Sequence, residues 1–322
     1  MRARVMGAGV VGLCCAVDLQ NRGLAVEVLE RAPALGEGAC SWLAGGMLAP
    51  GCEQESAEPL VGEWGEEAAG WWESQGVPVS RRGSLVLAPP RDRADLERFA
   101  ARSQGWTALD ADLIGALEPD LAGRHAKALF FKDEAHLDPR RALAALAARL
   151  GPAIRWGVEA DPTDASGVDL LLDCRGYAAA PDIPDLRAVR GEMLVLRQPE
   201  ITISRPIRLL HPRFPVYVVP RGDGIFMIGA TMVESESRAG VTARSARELL
   251  SAVWSLTPAF GEAEIIEMGA NLRPAFPDNL PAFRRDGAVW RVNGLYRHGF
   301  LLSPAVARRA VEAALQLEPA CA

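Results

Sequence analysis

The chain has 322 residues, 49% of them hydrophobic, with a formal net charge of −6. This is enough apolar material for one large core or two moderate ones, and it excludes a disordered chain. Negative charge offers no attraction to nucleic acid or anionic membranes, so the expected partner is a small molecule.

The first residues read as a strand, Arg4-Val5-Met6, running straight into Gly7-Ala8-Gly9-Val10-Val11-Gly12 and then a helix. This is a dinucleotide-binding fingerprint. Gly7 permits the tight turn, Gly9 lets backbone amides approach a pyrophosphate, and Gly12 lets the helix pack closely on the strand. A second strand, Leu24 to Leu29, ends in Glu30, about twenty residues downstream, where an acid accepts from a ribose hydroxyl. Glu rather than Arg at this strand end argues against a 2′-phosphate. Because the chain starts on a strand of the fold, no signal peptide is expected. No apolar run approaches the ~18 residues of a spanning helix either, and cytoplasmic residence is the expectation.

Six cysteines, Cys14, Cys15, Cys40, Cys52, Cys174 and Cys321, form no C-x-x-C pair, and the four histidines are scattered. Reduced thiols and no metal are expected. Cys14 and Cys15 fall on the first helix as small buried hydrophobes.

Further along, Ser41 to Pro50 concentrates small residues where backbone approaches something closely, a second candidate cofactor contact. Glu58 to Gln75 carries Trp64, Trp71 and Trp72 at helical spacing, read as core. Ser84 to Ala88 reads as a strand ended by Pro89-Pro90, and Asp92 to Arg102 as an amphipathic helix with Leu96, Phe99 and Ala100 on one face. Asp138-Pro139 supplies the N-cap and N1 proline of a helix ending near Leu150. Val168 to Gly176 has the look of a buried parallel strand.

Beyond it, short runs at Gly191–Leu196, Ile207–Leu210, Val216–Pro220 and Ile225–Gly229, with a hairpin turn at Arg221-Gly222-Asp223-Gly224, predict an antiparallel sheet. The fold class is therefore α/β: a Rossmann-like domain with an inserted antiparallel-sheet substrate domain. Residues 1–80, 138–184 and 267–322 are assigned to the nucleotide domain, and 81–137 and 185–266 to the substrate domain.

Two arginines stand between apolar and glycine residues, Arg273 in Asn271-Leu272-Arg273-Pro274 and Arg297 in Gly294-Leu295-Tyr296-Arg297-His298-Gly299-Phe300-Leu301-Leu302. A guanidinium in such company needs an anion: a substrate carboxylate held bidentately, or a protein acid in a structural ion pair. Ser303-Pro304 is expected to be the N-cap and N1 of a terminal helix whose positive end points back at the Arg297 loop. Tyr217, central in an antiparallel strand, is either a carboxylate partner or a core tyrosine with a satisfied hydroxyl. His298 is the only histidine near these groups, and position alone does not make it a base.

In order and spacing, the Gly7 fingerprint, Ser41 to Pro50, His136-Leu137-Asp138-Pro139, Val189-Arg190-Gly191-Glu192, Tyr217 to Met232, Leu272-Arg273-Pro274 and Leu295 to Pro304 span essentially the whole chain. Together they resemble the glycine oxidase and D-amino acid oxidase family of flavoproteins, most closely the glycine oxidases of thiazole (thiamine) biosynthesis. The resemblance implies FAD held by Gly7, Gly9, Val10, Val11, Gly12, Glu30, Arg31, Cys40, Ser41, Gly45, Gly46 and Met47, by the backbone near Val158, and by Leu295, Tyr296, Arg297, His298, Gly299, Phe300 and Leu301. It also implies a substrate carboxylate held by Arg273 and Tyr217, with Arg297 close by and Met232 lining the pocket. A reduced flavin, anionic near N1, suits the positive helix end.

Pro215 replaces a polar residue of the glycine oxidases, which leaves pocket polarity open. No cysteine lies near Arg273 in the sequence, so FAD is expected to be non-covalent. The implied reaction is oxidation of glycine or another small amino acid by a homo-oligomeric enzyme, with O₂ reduced to H₂O₂. The alternatives are an FAD-dependent D-amino acid or sarcosine dehydrogenase that passes electrons to a carrier, a tRNA-modifying oxidase module, and a non-catalytic flavin protein. The acidic balance argues against RNA, and two desolvated arginines argue against a non-catalytic role.

Overall fold

The structure, a computed structural model, describes residues 1–89, 93–210 and 214–316. Pro90, Asp92 and Cys321 lie outside the described residues. A six-stranded sheet places Arg2–Met6 between Leu170–Asp173 and Ala25–Glu30, with Val289–Asn293 and Ile154–Trp156 outside them. All of these neighbours are parallel, and the hairpin strand Ala282–Asp286 adds an antiparallel edge. Parallel strands buried on both faces need near-continuous apolar sequence, and Leu170, Leu171 and Leu172 provide it.

The helices Val10–Asn21, Pro139–Leu150 and Gly299–Gln316 contribute to one apolar core against this sheet. Asp138 caps the second of these, accepting from the amides of Arg140 and Arg141 at 2.8 and 3.2 Å ahead of Pro139. The tryptophan segment forms two short helices, Pro59–Gly65 and Ala68–Ser74, rather than one. Trp72 is fully buried against Phe300, and Trp64 and Trp71 pack on the same core.

A nine-stranded, mainly antiparallel sheet is the second layer. Its axis is the long strand Arg187–Arg197, flanked by Ile225–Gly229 on one side and Glu264–Ala275 on the other. Val216–Gly222 pairs with Ile225–Gly229 through the turn at Asp223 and Gly224, where both residues have positive φ. The amphipathic helix Ala243–Leu256 packs on this sheet to make a second core. Because Glu264–Ala275 still belongs to this sheet, the chain returns to the nucleotide sheet only at Ala282. The boundary expected at residue 267 is therefore too early: the apolar and polar residues of that strand do not signal which sheet it joins. A third, small sheet links Met47–Leu48, Ala135–Leu137 and Val79–Ser80. Among the described residues no helix is long and apolar enough to cross a membrane.

Candidate active site

A cavity runs from the end of the first strand to the face of the antiparallel sheet. At its first end Gly7 has φ +96°, and a Cβ there would sit 2.7 Å from the Cys174 carbonyl oxygen. Only glycine fits this turn. A Cβ on Gly12 would fall 2.0 Å from the Gly7 oxygen and 3.2 Å from Cys174 Cβ, so Gly12 serves the helix-on-strand contact and does not line the cavity. The helix starts at Val10 with Gly9 as its cap, no side-chain cap bond and no acid in its first turn. Its N-terminal end therefore faces the cavity as an anion-binding end. Glu30 accepts from the amides of Ala8 at 2.7 Å and Ala32 at 2.9 Å, which fixes its carboxylate beside the turn with acceptor capacity left over. Ser41 Oγ, close to Gly9, is buried and has no hydrogen-bond partner among the described residues. Gly46 has φ +75°, and a Cβ there would be 2.2 Å from the Leu137 oxygen. Arg221, expected in the hairpin turn, lies on the strand Val216–Gly222 and donates to the carbonyls of Leu137 and Ala44 at 2.8 and 2.9 Å, which holds this loop.

Arg31, Cys40, Gly45, Met47, Val158, Leu295, Tyr296, Arg297, Gly299 and Phe300 also line the cavity. His298 and Leu301 do not: Leu301 packs on Gly65, and His298 faces Glu53. The terminal helix starts at Gly299, not at Ser303, and Pro304 lies inside it. The missing Pro304 N–H leaves the Phe300 carbonyl free, and Trp72 Nε1 donates to it at 2.9 Å. This outside donor is why an N1-like proline sits one turn into a helix. The positive end consequently lies immediately beside Arg297.

At the other end of the cavity is Arg273. Among the described residues it has no carboxylate partner, and its one bond runs from Nη1 to the Thr231 carbonyl at 3.0 Å. Desolvation pushes its pKa down, an effect that nearby Tyr296 and Cys40 oppose and Arg297 adds to. An anion in the cavity would relieve an unpaired buried charge. Arg297, by contrast, is paired: it donates to Glu53 at 2.5 Å and to Ser56 at 2.9 Å. Of the two readings for Arg297, the structural ion pair is the one present.

Glu53 is the residue that sequence reasoning missed. It ends the four-residue helix Pro50–Glu53 and accepts from Tyr217 Oη at 2.8 Å, with Arg208 3.7 Å away. Burial alone would raise its pKa, but Arg297, Arg208 and the Tyr217 hydrogen bond hold it far below the usual carboxylate range. The only sequence signal was the demand of buried arginines for an acid, and spacing does not choose among Glu53, Glu55 and Glu58. Because Tyr217 gives its one proton to Glu53, its oxygen presents acceptor lone pairs; a carboxylate can take a bond from it only if the hydroxyl turns. Met232 lines the cavity with its sulfur 3.2 Å from Tyr296 Oη and 3.9 Å from Arg297 Nη1, and Pro215 lines it too. Burial pushes His298 down to about 4, against the pull of Glu53, so it is neutral at ordinary pH.

Cys40 corrects one expectation. Although remote from Arg273 in sequence, its thiol lies within electrostatic reach of that guanidinium; desolvation raises its pKa, and Arg273 offsets this only in part. It is a thiol, not a nucleophilic thiolate.

The family model described as DAO, FAD dependent oxidoreductase, matches residues 3–313. The chain belongs to this FAD-dependent oxidoreductase family. Among its relatives, a protein named as thiamine biosynthesis oxidoreductase ThiO of Rhizobium etli is 54% identical over 311 residues, covering 95% of this chain and 94% of that one. A glycine oxidase of Bacillus licheniformis is 26% identical, covering 94% of this chain and 89% of its own. The crystal structure of glycine oxidase from Geobacillus kaustophilus superposes with a TM-score of 0.82 at 21% identity, covering 99% of this chain and 96% of that one. The FAD of the family fits the cavity described: a glycine turn that tolerates no side chain, an uncapped helix end, a fixed Glu30 and an unpartnered Ser41 hydroxyl.

Proposed function

We propose that the chain oxidises glycine and other small amino acids to the imine, which water converts to the 2-oxo acid and ammonia, and that the product feeds thiazole formation in thiamine biosynthesis. The observation that carries this reading is Arg273, a guanidinium in the cavity wall with no carboxylate partner among the described residues. A planar fork of this kind is matched to a small carboxylate. The names of the ThiO and glycine oxidase relatives supply the substrate class.

FAD, which Gly7, Glu30, Ser41 and Gly46 would hold, would supply the two-electron acceptor, with O₂ as the final oxidant and H₂O₂ as its product. The protein's own contribution is placement. Arg273, steadied by the Thr231 carbonyl, holds the carboxylate so that the Cα–H bond faces the acceptor, and orientation is worth orders of magnitude in rate. Glu53 keeps Tyr217 and Arg297 in fixed positions at the cavity wall. His298 is excluded from the cavity by the Glu53 contact, and Glu53 is already committed to its partners. Neither group is therefore assigned as the base for the substrate amine. We further propose that Gly7, Gly9, Val10, Val11, Glu30, Ser41 and Gly46 hold the cofactor and that Arg273, Tyr217, Arg297 and Met232 form the substrate end.

The experiment is H₂O₂ release from the purified protein across glycine, sarcosine, D-alanine and D-phenylalanine. Glycine and sarcosine should turn over well, D-alanine slowly, since one methylene costs only about 1–3 kcal/mol, and D-phenylalanine poorly. D-phenylalanine turnover matching that of glycine would contradict the small-substrate reading, and turnover with a dye but none with O₂ would make the chain a dehydrogenase.

A further inference from the structure

Val189-Arg190-Gly191-Glu192 lies mid-way along the strand Arg187–Arg197, where alternate residues face opposite sides. Arg190 and Glu192 share one face. Arg190 Nε donates to Glu192 Oε1 at 2.7 Å and its Nη groups to the carbonyls of Ser237 and Gly240 at 2.6 Å each, and Glu192 Oε2 accepts from the Thr242 amide at 3.0 Å. Gly191 faces the cavity instead. It is opposite Asn271, while Arg273 is opposite Val189, so the Arg273 side chain reaches Gly191 along the diagonal of the ladder.

A Cβ built on Gly191 would lie 2.3 Å from Arg273 Nη2, 2.4 Å from Cζ and 2.7 Å from Nη1. The guanidinium therefore lies across the bare Cα. The backbone of Gly191 is not in the left-handed region, so no turn or dihedral requires a glycine there, and glycine inside a strand weakens it. The next residue completes the arrangement: the Glu192 amide donates to Thr231 Oγ1 at 3.0 Å, and the Thr231 amide donates to the Glu192 carbonyl at 3.2 Å. These bonds fix the Thr231 carbonyl that accepts from Arg273.

We propose that Gly191 is a positioning residue for the reaction, the seat whose missing side chain sets where the Arg273 guanidinium, and with it the substrate carboxylate, is held. This rests on the reading of Arg273 as the carboxylate clamp. The strand thus carries two tasks in consecutive residues, the seat at Gly191 and the alignment of Thr231 at Glu192.

The test is Gly191→Ala in the flavin-loaded protein, compared with Arg273→Ala and with the double variant. Gly191→Ala should load flavin and unfold like the wild type, yet lose on the order of a hundredfold in kcat/KM for glycine, the cost of displacing a positioning group by about an ångström. The Kd for acetate, read from the flavin spectrum, should rise with KM. In the Arg273→Ala background the same change should do nothing further, because no guanidinium remains to be displaced. Unchanged KM and acetate Kd in Gly191→Ala, or an equal loss in both backgrounds, would overturn the proposal. If Gly191→Ala does not load flavin, the double variant must restore loading, and failure to restore it overturns the proposal as well. A crystal structure of Gly191→Ala separates the two ideas: a displaced guanidinium with unaltered KM removes Arg273 as the clamp, whereas a guanidinium still lying over residue 191 removes the seat.

Discussion

Arg297 donates to Glu53 at 2.5 Å across most of the length of the chain, and this ion pair ties the terminal helix to the short helix after the Ser41–Pro50 loop. Glu53 also holds Tyr217 and faces Arg208, so it offsets the charge of two arginines in a largely desolvated place. Glu53→Gln should destabilise the fold by about 3–5 kcal/mol, the cost of leaving a buried charge without its partner. Denaturant unfolding of the two proteins measures this; a difference under ~1 kcal/mol would place the pair among weak surface ion pairs.

Trp72 and Pro304 are coupled through one carbonyl. In Trp72→Phe the Phe300 oxygen loses its donor, at a cost of about 1–3 kcal/mol for an unsatisfied buried acceptor. Pro304→Ala restores a backbone N–H four residues on, so it should recover part of that loss in the Trp72→Phe background. Strictly additive effects in a double-mutant cycle would show that the two residues do not share the acceptor.

The nucleotide end was legible in the sequence because local constraints determine it. Gly7 and Gly12 are forced by contacts under 3 Å, and Glu30 sits at the end of the second strand. Asp138-Pro139 was legible for the same reason. The identical grammar misled at Ser303-Pro304, because the donor that tolerates Pro304 comes from Trp72, a tertiary partner that no local pattern reveals. The substrate end was half legible. Arg273 and Arg297 looked alike as buried arginines, and only the fold shows that Arg297 has a carboxylate partner and that Arg273 has none among the described residues. Glu53, Thr231 and Cys40 meet these arginines through sheet pairing and loop packing, which spacing does not encode.

Glu134 makes stability depend on pH. It is buried and accepts from the Cys52 amide at 2.6 Å, and burial pushes its carboxyl up to about 7 against the opposing hydrogen bonds of Ser84 and Cys52. A folded-state pKa above the unfolded one contributes stability that is complete below about 4.5 and is lost as pH rises through about 7. Wild type should therefore lose up to about 3 kcal/mol between pH 5 and 8 through this group, while Glu134→Gln, which keeps an acceptor for Cys52, should be flatter. Parallel pH–stability curves for the two proteins would rule Glu134 out as the source.

Acid precipitation should release the flavin into solution, because the Cys40 thiol beside Arg273 is held protonated by desolvation. Flavin retained in the pellet, and lost from it in Cys40→Ser, would show a covalent bond at that cysteine.

Arg273→Ala should leave flavin loading intact and lower kcat/KM for glycine on the order of a hundredfold or more, which follows from about 3–5 kcal/mol for a broken charge pair at ~1.4 kcal/mol per tenfold. Arg273→Lys should recover only part, since an ammonium lacks the planar fork.

Anaerobic mixing of the purified flavoprotein with glycine tests the proposed chemistry with the fewest steps. The visible flavin absorption should bleach in the wild type, return on admitting air with release of H₂O₂, and stay unbleached on the same timescale in Arg273→Ala. A wild-type spectrum that glycine leaves oxidised, or bleaching that Arg273→Ala reproduces at the wild-type rate, would contradict flavin-dependent glycine oxidation through the Arg273 clamp.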